Sequence, residues 1–261
     1  MDYNSKLKKK WSEGKSLCIG LDPVMDKLPN GIKSFFEFNK QIIDATYDIV
    51  CAYKPNSAFY EALGANGISE LKKTIDYINN KYPEIVTILD AKRGDIDSTN
   101  EGYVKFAFDY LKSDAITIHP YLGKVANEPF LKRRDKGILV LCKTSNEGSS
   151  EFQNIHDLYL KVAENVANNW NTNGNCGVVV GATYSEELKK VREVTSDLPI
   201  LIPGIGAQGG DLKKTIRAVK RNFIISASRS IIFASSGHDF ASAAREEAIA
   251  IDKKIRAVLS E

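Results

Sequence analysis

Four charged residues set the chemistry open to this chain. Asp90-Ala91-Lys92-Arg93-Gly94-Asp95 follows a short Ile/Val-rich run, and Lys54 closes an earlier one in Tyr53-Lys54-Pro55-Asn56. In extended backbone, residues two apart share a face, so Asp90 and Lys92 are expected to project together while Ala91 packs outward. If the two runs are neighbouring strands, Lys54 lies beside Asp90, and an aspartate stands between two lysines with Asp95 a few residues on. Opposite charges at that range keep the lysines protonated and the carboxylates ionised. A salt-bridge network that only closes the fold would use the same residues. Buried ion pairs are costly and contribute little net stability, however, so charges gathered where strands end point to function. Arg93 falls on the other face and is read as a surface residue outside the array.

A second motif is Pro203-Gly204-Ile205-Gly206-Ala207-Gln208-Gly209-Gly210, followed by Ser228-Arg229-Ser230. Gly204, Gly206 and Gly209 have the spacing of a dinucleotide fingerprint. They follow the seventh apolar run rather than the first, and no acidic residue stands about 20 positions on to hold a ribose. The expectation is a phosphate cradle of backbone N–H groups with Arg229 as a planar, two-pronged partner; glycines serving only tight turns are the alternative. The third motif, Lys143-Thr144-Ser145-Asn146-Glu147-Gly148, offers hydroxyl and amide groups to a heterocycle or sugar, although such residues fill ordinary loops too.

The elements that must position these residues form a regular series. Short apolar runs at 16–21, 49–53, 85–89, 115–118, 137–142, 176–180, 200–202 and 223–227 alternate with helical periodicity at 34–47, 69–81, 99–111, 125–132, 155–171, 185–195, 211–219 and 239–260. Runs lacking polar alternation belong to a parallel sheet buried on both faces. A closed (β/α)8 TIM barrel fits the count, and a doubly wound open sheet is the competing arrangement. Polar residues directly after at least seven of the eight runs favour the barrel, where strand ends converge on one mouth. The expected organisation is a single domain over residues 1–261, with a short helix at about 2–13 closing the opposite end.

Composition sets limits on partners. The 261 residues are 43% hydrophobic and 26% charged, and Lys+Arg 36 against Asp+Glu 33 leaves +3, too small an excess for a dedicated nucleic-acid protein. No apolar run approaches the roughly 20 residues of a membrane helix, and the lysine-rich start lacks an apolar leader core, so a cytoplasmic protein is expected. Cys18, Cys51, Cys142 and Cys176 are scattered within apolar runs and read as reduced core residues; His119, His156 and His238 form no metal signature.

Leu21-Asp22-Pro23, Tyr53-Lys54-Pro55-Asn56, Asp90-Ala91-Lys92-Arg93-Gly94-Asp95-Ile96, Thr144-Ser145-Asn146, Pro203 to Gly209 and Ser228-Arg229 together resemble the orotidine 5′-phosphate decarboxylase family. The likeness runs over the whole chain in order, and within the family it is to the longer D-A-K-R-G-D-I branch. It implies cofactor-free conversion of orotidine 5′-monophosphate to uridine 5′-monophosphate and carbon dioxide, the last step of pyrimidine nucleotide synthesis, with no metal. Lys92 would then stand beside the forming carbanion and protonate it, Asp90 near the departing carboxylate, and Lys54 would hold Asp90 and reach the ribose. Asp95, with Ile96 and Thr99, resembles the residues that family members insert into a neighbouring subunit's site, which implies a homodimer. Asp22 and Asn56 would bind ribose hydroxyls or order the lysines, Ser145 or Thr144 the pyrimidine edge, and Gln208 and Arg229 the phosphate, with Pro203 and Gly206 in the same cradle. Ser228 departs from the family, where glycine is common before the phosphate arginine.

Two other functions compete with this one. A magnesium-dependent sugar-phosphate decarboxylase or synthase of the same superfamily would place an acidic metal ligand where Lys54 stands. A non-catalytic phosphate-ligand barrel would be expected to have lost members of the charge array, and all four are present.

Overall fold

The computed structural model describes residues 1–205 and 211–261. The first half runs α1 (Tyr3–Ser12), β1 (Leu17–Gly20), α2 (Phe35–Thr46), β2 (Ala52–Lys54), α3 (Ser57–Glu61), α4 (Gly64–Lys81), β3 (Val86–Arg93) and α5 (Asp97–Val104). The second half continues with β4 (Ala115–Ile118), α6 (Gly123–Leu131), β5 (Gly137–Lys143), α7 (Ser150–Gln153), α8 (Leu158–Asn165), β6 (Cys176–Val180) and α9 (Ser185–Thr195). Then come β7 (Ile200–Pro203), α10 (Leu212–Val219), β8 (Phe223–Ala227), α11 (Arg229–Ile232) and α12 (Phe240–Leu259). All strands are parallel and pair in sequence order, and β8 returns to β1, so the sheet closes into a (β/α)8 barrel and the open-sheet alternative is excluded.

Three differences from the sequence reading have local causes. Helix α3 is not among the expected elements: its five residues are too short to show a helical period, and Asn56 starts it by accepting the Ala58 N–H at 3.1 Å. The helix expected at 99–111 is α5 followed by a wider-wound turn through Lys105–Tyr110. Strands β3 and β5 run past their apolar runs to Arg93 and Lys143, carrying charged residues into the ladder.

Alternation along the strands makes two cores. Outward residues such as Leu17, Ile19 and Leu89 pack against the helices, while Cys18, Ala52, Val86, Ile88, Ala115, Leu139, Val179, Leu201 and Ile224 fill the barrel interior. Two residues further along, the inward positions of β2, β3, β4 and β8 become Lys54, Asp90, Thr117 and Ser226, all buried. The change from apolar to polar at one level in four strands marks the mouth. At the opposite end α1 lies across the strand starts: Trp11 Nε1 donates to Phe223 O at 2.9 Å, Lys6 pairs with Asp114, and Tyr3 packs on Gly137, where a Cβ would come within 2.6 Å of its ring.

All four cysteines are buried and free, and burial pushes the Cys18 thiol up to about 12, which makes it inert at neutral pH. Among the described residues, no helix is long and apolar enough to cross a membrane.

Candidate active site

The C-terminal strand ends enclose a cavity of about 420 Å³, lined by the charged residues Asp22, Lys54, Asp90, Lys92 and Arg229 and by apolar side chains including Leu141, Val179 and Leu201. Asp90 is its pivot. Lys54 Nζ donates to Asp90 Oδ2 at 2.8 Å, while Lys92 Nζ and Thr117 Oγ1 donate to Oδ1 at 2.7 and 2.9 Å. Burial alone would push the Asp90 carboxyl up, but Lys54 and then Lys92 outweigh it and hold the group well below the usual carboxylate range. Burial would likewise favour neutral Lys54, which is 5% exposed, yet the charges of Asp90 and Asp22 raise its ammonium above the ordinary value. Lys92 differs from Lys54 in standing at the rim with 48% of its side chain exposed.

Simple alternation does not bring Lys92 to Asp90. Strand β3 pairs Leu89 with Ile116 and next Arg93 with Ile118, so the ladder is interrupted, and Lys92 takes a left-handed φ of 46°. Such a conformation costs a non-glycine residue about 1–2 kcal/mol, and the Lys92 N–H, displaced from the ladder, donates to Thr117 Oγ1 at 3.0 Å instead. Ala91 packs against the outer core, and Arg93 turns away to pair with Glu61 of α3 and lie 5.1 Å from the Tyr103 ring centroid.

Asp22 is fixed from two sides. The Asn56 backbone N–H donates to its Oδ1 at 3.1 Å, and Ser228 Oγ lies 2.8 Å from its Oδ2. Gly20 makes room for this, since a Cβ there would come within 2.6 Å of Ser228 Cβ. The serine before Arg229 is therefore accommodated by a glycine on the adjacent strand. Asn56 itself does not line the cavity, because its side chain caps α3.

In the loop after β5 both Thr144 and Ser145 line the cavity, but their hydroxyls differ in their partners. Thr144 Oγ1 donates to Asn146 Oδ1 at 2.7 Å and accepts from Gln153 Nε2 at 2.8 Å. Ser145 lines the cavity with no hydrogen-bond partner for its hydroxyl among the described residues, and Gly181 gives it space, since a Cβ there would lie 2.8 Å from Ser145 Cβ. Lys143 stays out of the cavity, fully buried, donating to Ser149 Oγ at 3.1 Å and Asn154 Oδ1 at 2.8 Å.

Of the expected phosphate cradle, Pro203, Ser228 and Arg229 line the cavity; Gly206 and Gln208 lie outside the described residues. The Arg229 guanidinium is exposed and has no carboxylate partner among the described residues. Three cations, Lys54, Lys92 and Arg229, thus face two carboxylates, Asp22 and Asp90, a surplus of one positive charge suited to an anionic ligand.

Asp95, Ile96 and Thr99 do not line this cavity. Their loop is tied down locally: His119 Nε2 lies 2.9 Å from Gly94 O, the Asp95 N–H donates to Asn100 Oδ1 at 3.0 Å, and Asn100 Nδ2 donates back to Asp95 O at 2.6 Å. Asn146, part of the third sequence motif, lines the cavity too, as does Thr117, which the sequence motifs do not include. Thr117 was findable by extending the inward series of β4 from Ala115. Among the described residues, no cluster of three His, Cys, Asp or Glu side chains is arranged to hold a metal ion.

A closed parallel barrel with a charged, partly buried array at its C-terminal mouth defines a barrel enzyme acting on an anionic small molecule. The chain belongs to the orotidine 5′-phosphate decarboxylase / HUMPS family, whose model matches residues 15–245. It is 44% identical to an orotidine 5′-phosphate decarboxylase of Cellvibrio japonicus, with 98% of each chain covered. The solved OMP decarboxylase of Leishmania donovani matches with a TM-score of 0.83 at 37% identity, over 97% of this chain and 99% of that one. The UMP synthase of the same organism matches with a TM-score of 0.90 at 37% identity over 99% of this chain, which spans 57% of the synthase's length.

Proposed function

We propose that this chain converts orotidine 5′-monophosphate to uridine 5′-monophosphate and carbon dioxide without a cofactor. The observation that carries the reading is the Asp90 carboxylate held between Lys54 and Lys92 in a cavity that Arg229 also lines. Breaking the bond from ring carbon to carboxylate leaves the electron pair on a carbon with no conventional sink, so a cation beside that carbon is needed. Lys92 supplies it, then transfers a proton to the carbanion and ends as an amine that regains its proton from water. Ionised Asp90 crowds the substrate carboxylate, and the crowding is relieved as carbon dioxide leaves.

The remaining residues bind and orient. Lys54 fixes Asp90 and reaches the ribose; Asp22, steadied by Asn56 and Ser228, takes ribose hydroxyls. Ser145 takes the pyrimidine edge, because its hydroxyl is open to the cavity while that of Thr144 is engaged within the loop. Arg229 grips the phosphate in a two-pronged contact, with Pro203, Gly206 and Gln208 in the same cradle. Lys54 also favours this reading over a magnesium-dependent sugar-phosphate enzyme, because an ammonium at the end of β2 repels a divalent cation where such enzymes place a carboxylate.

The working form in this proposal is a cytoplasmic homodimer in which Asp95, Ile96 and Thr99 complete the site of the second copy. Asp95 is absent from its own cavity lining, and exposed Tyr121 (88%) and Phe152 (65%) line a mostly apolar surface hollow of about 640 Å³. Reduced, buried cysteines suit that compartment.

The test follows the absorbance of orotidine 5′-monophosphate with purified protein in EDTA, where an undiminished rate is expected. Activity lost with EDTA and restored by magnesium would overturn the proposal. For the dimer, Lys92→Ala and Asp95→Asn are each expected to be nearly inactive, yet to recover about a quarter of wild-type activity when mixed, since half the dimers are then mixed and each carries one intact site. No recovery despite demonstrated exchange would return Asp95 to its own subunit's site or to a structural role.

A further inference from the structure

The Asp90–Lys92 turn is joined to its neighbouring strand through one hydroxyl. Thr117 is the inward residue of β4 beyond Ala115 and is 1% exposed, and its Oγ1 has two partners, both on β3. Asp90 is ionised and has no proton to give, so the single hydroxyl proton goes to Asp90 Oδ1 at 2.9 Å, and an oxygen lone pair accepts the Lys92 N–H at 3.0 Å. The direction of both bonds is therefore determined. Between the pairs Leu89–Ile116 and Arg93–Ile118, three residues of β3 stand opposite Thr117 alone, and within this bulge Lys92 is left-handed. A lysine persists in such a conformation only where its surroundings over-determine it.

We propose that Thr117 is a positioning residue for the proton donor: its hydroxyl locks the Asp90 carboxylate and the Lys92 backbone into one rigid turn that aims the ammonium at the reacting carbon. This rests on the reading of Lys92 as the donor and extends it to a residue that touches Lys92 through its main chain. The arrangement also has a consequence within the catalytic cycle. Once Lys92 has given up its proton, its attraction to Asp90 Oδ1 weakens, while Thr117 on Oδ1 and Lys54 on Oδ2 still hold the carboxylate in place. The amine thus returns to a fixed partner when it is reprotonated.

The experiment compares Thr117→Val, which keeps the shape and removes both bonds, with Thr117→Ser, which keeps the hydroxyl. Thr117→Val is expected to lower kcat for orotidine 5′-monophosphate by about 10- to 100-fold, the scale of a misplaced reacting group. KM and the Kd for uridine 5′-monophosphate should move by less than about threefold, because ground-state binding does not depend on the aim of the ammonium. Thr117→Ser should restore most of the turnover. Wild-type turnover in Thr117→Val overturns the proposal, as does a loss that serine fails to recover or one matched by an equal loss of product affinity. If the valine variant does not fold, Thr117→Ala is measured in its place against the same outcomes. Wild-type protein and Lys92→Ala run alongside separate the two readings: turnover that survives Lys92→Ala sinks the donor assignment itself, whereas an inactive Lys92→Ala beside a fully active Thr117→Val sinks only the role of Thr117.

Discussion

The two ends of the barrel use the same three residue types to different ends. At the closed end Lys6 Nζ lies 2.9 Å from both oxygens of Asp114, and Thr87 donates its N–H and its hydroxyl to Asp114 Oδ2 at 2.9 and 3.1 Å. At the mouth Asp90 meets Lys54, Lys92 and the Thr117 hydroxyl. The closed end balances one charge against one beneath α1, with backbone completing the set. The mouth opposes two lysines to one aspartate, strains the backbone of Lys92 and opens on the cavity. A buried lysine–aspartate pair therefore does not by itself mark a site. Surplus charge beside accessible volume does, because only there does an incoming anion change the balance.

The sharpest way to break this comparison is to remove one lysine from each end. Lys92→Ala should cost at least about 10²- to 10⁴-fold in turnover, the usual contribution of a positioned acid, while binding of uridine 5′-monophosphate measured by calorimetry survives. Lys6→Met should leave turnover within about twofold but lower stability in urea by about 3 kcal/mol, because it strands a nearly buried carboxylate. An unfolded Lys92→Ala, or an inactive but stable Lys6→Met, would reverse the roles assigned to the two ends.

A smaller effect tests the surplus charge. Arg229→Ala should weaken kcat/KM by one or two charge-assisted hydrogen bonds, about 1.5–3 kcal/mol each, and by more if the phosphate's binding energy also helps assemble the array. Steady-state kinetics with orotidine, which lacks the phosphate, should show a much reduced defect; equal damage to both substrates would assign Arg229 to the fold.

The smallest expected effect is on acid stability. Because the folded-state proton affinity of Asp90 is depressed, its contribution is complete above the unfolded carboxyl's ordinary value of 3.8 and is lost as pH falls from there through the lower folded value. Over that window wild-type stability should fall with a slope steeper than that of Asp90→Asn by about 1.4 kcal/mol per pH unit, one proton's worth. Urea titrations at successive pH values check this, and equal slopes would mean that Asp90 is not held ionised by the lysines.

The eight βα units and the charged strand ends were legible in sequence because both are local: apolar runs, helical periods and residues two apart are set by backbone geometry that neighbouring residues alone determine. The residue types of the array, and the placement of Lys54 beside Asp90, followed from that geometry once adjacent runs were taken as paired strands. The bulge at Lys92 was not legible, since alternation predicts the same face by a different backbone. Nor did the sequence distinguish Thr144 from Ser145 or reveal that Asn56 caps a helix instead of lining the cavity.

By itself, then, the sequence determined the kind of fold, the ends of the strands where polar residues gather, and the charged groups available there. Tertiary structure decided which of them meet. Ser228 reaches Asp22 across 206 residues, Thr117 reaches Asp90 across 27, and Lys6 reaches Asp114 across 108. Those partnerships depend on strand register around a closed barrel, which is fixed by the packing of both sheet faces at once, and no local run of residues contains that information.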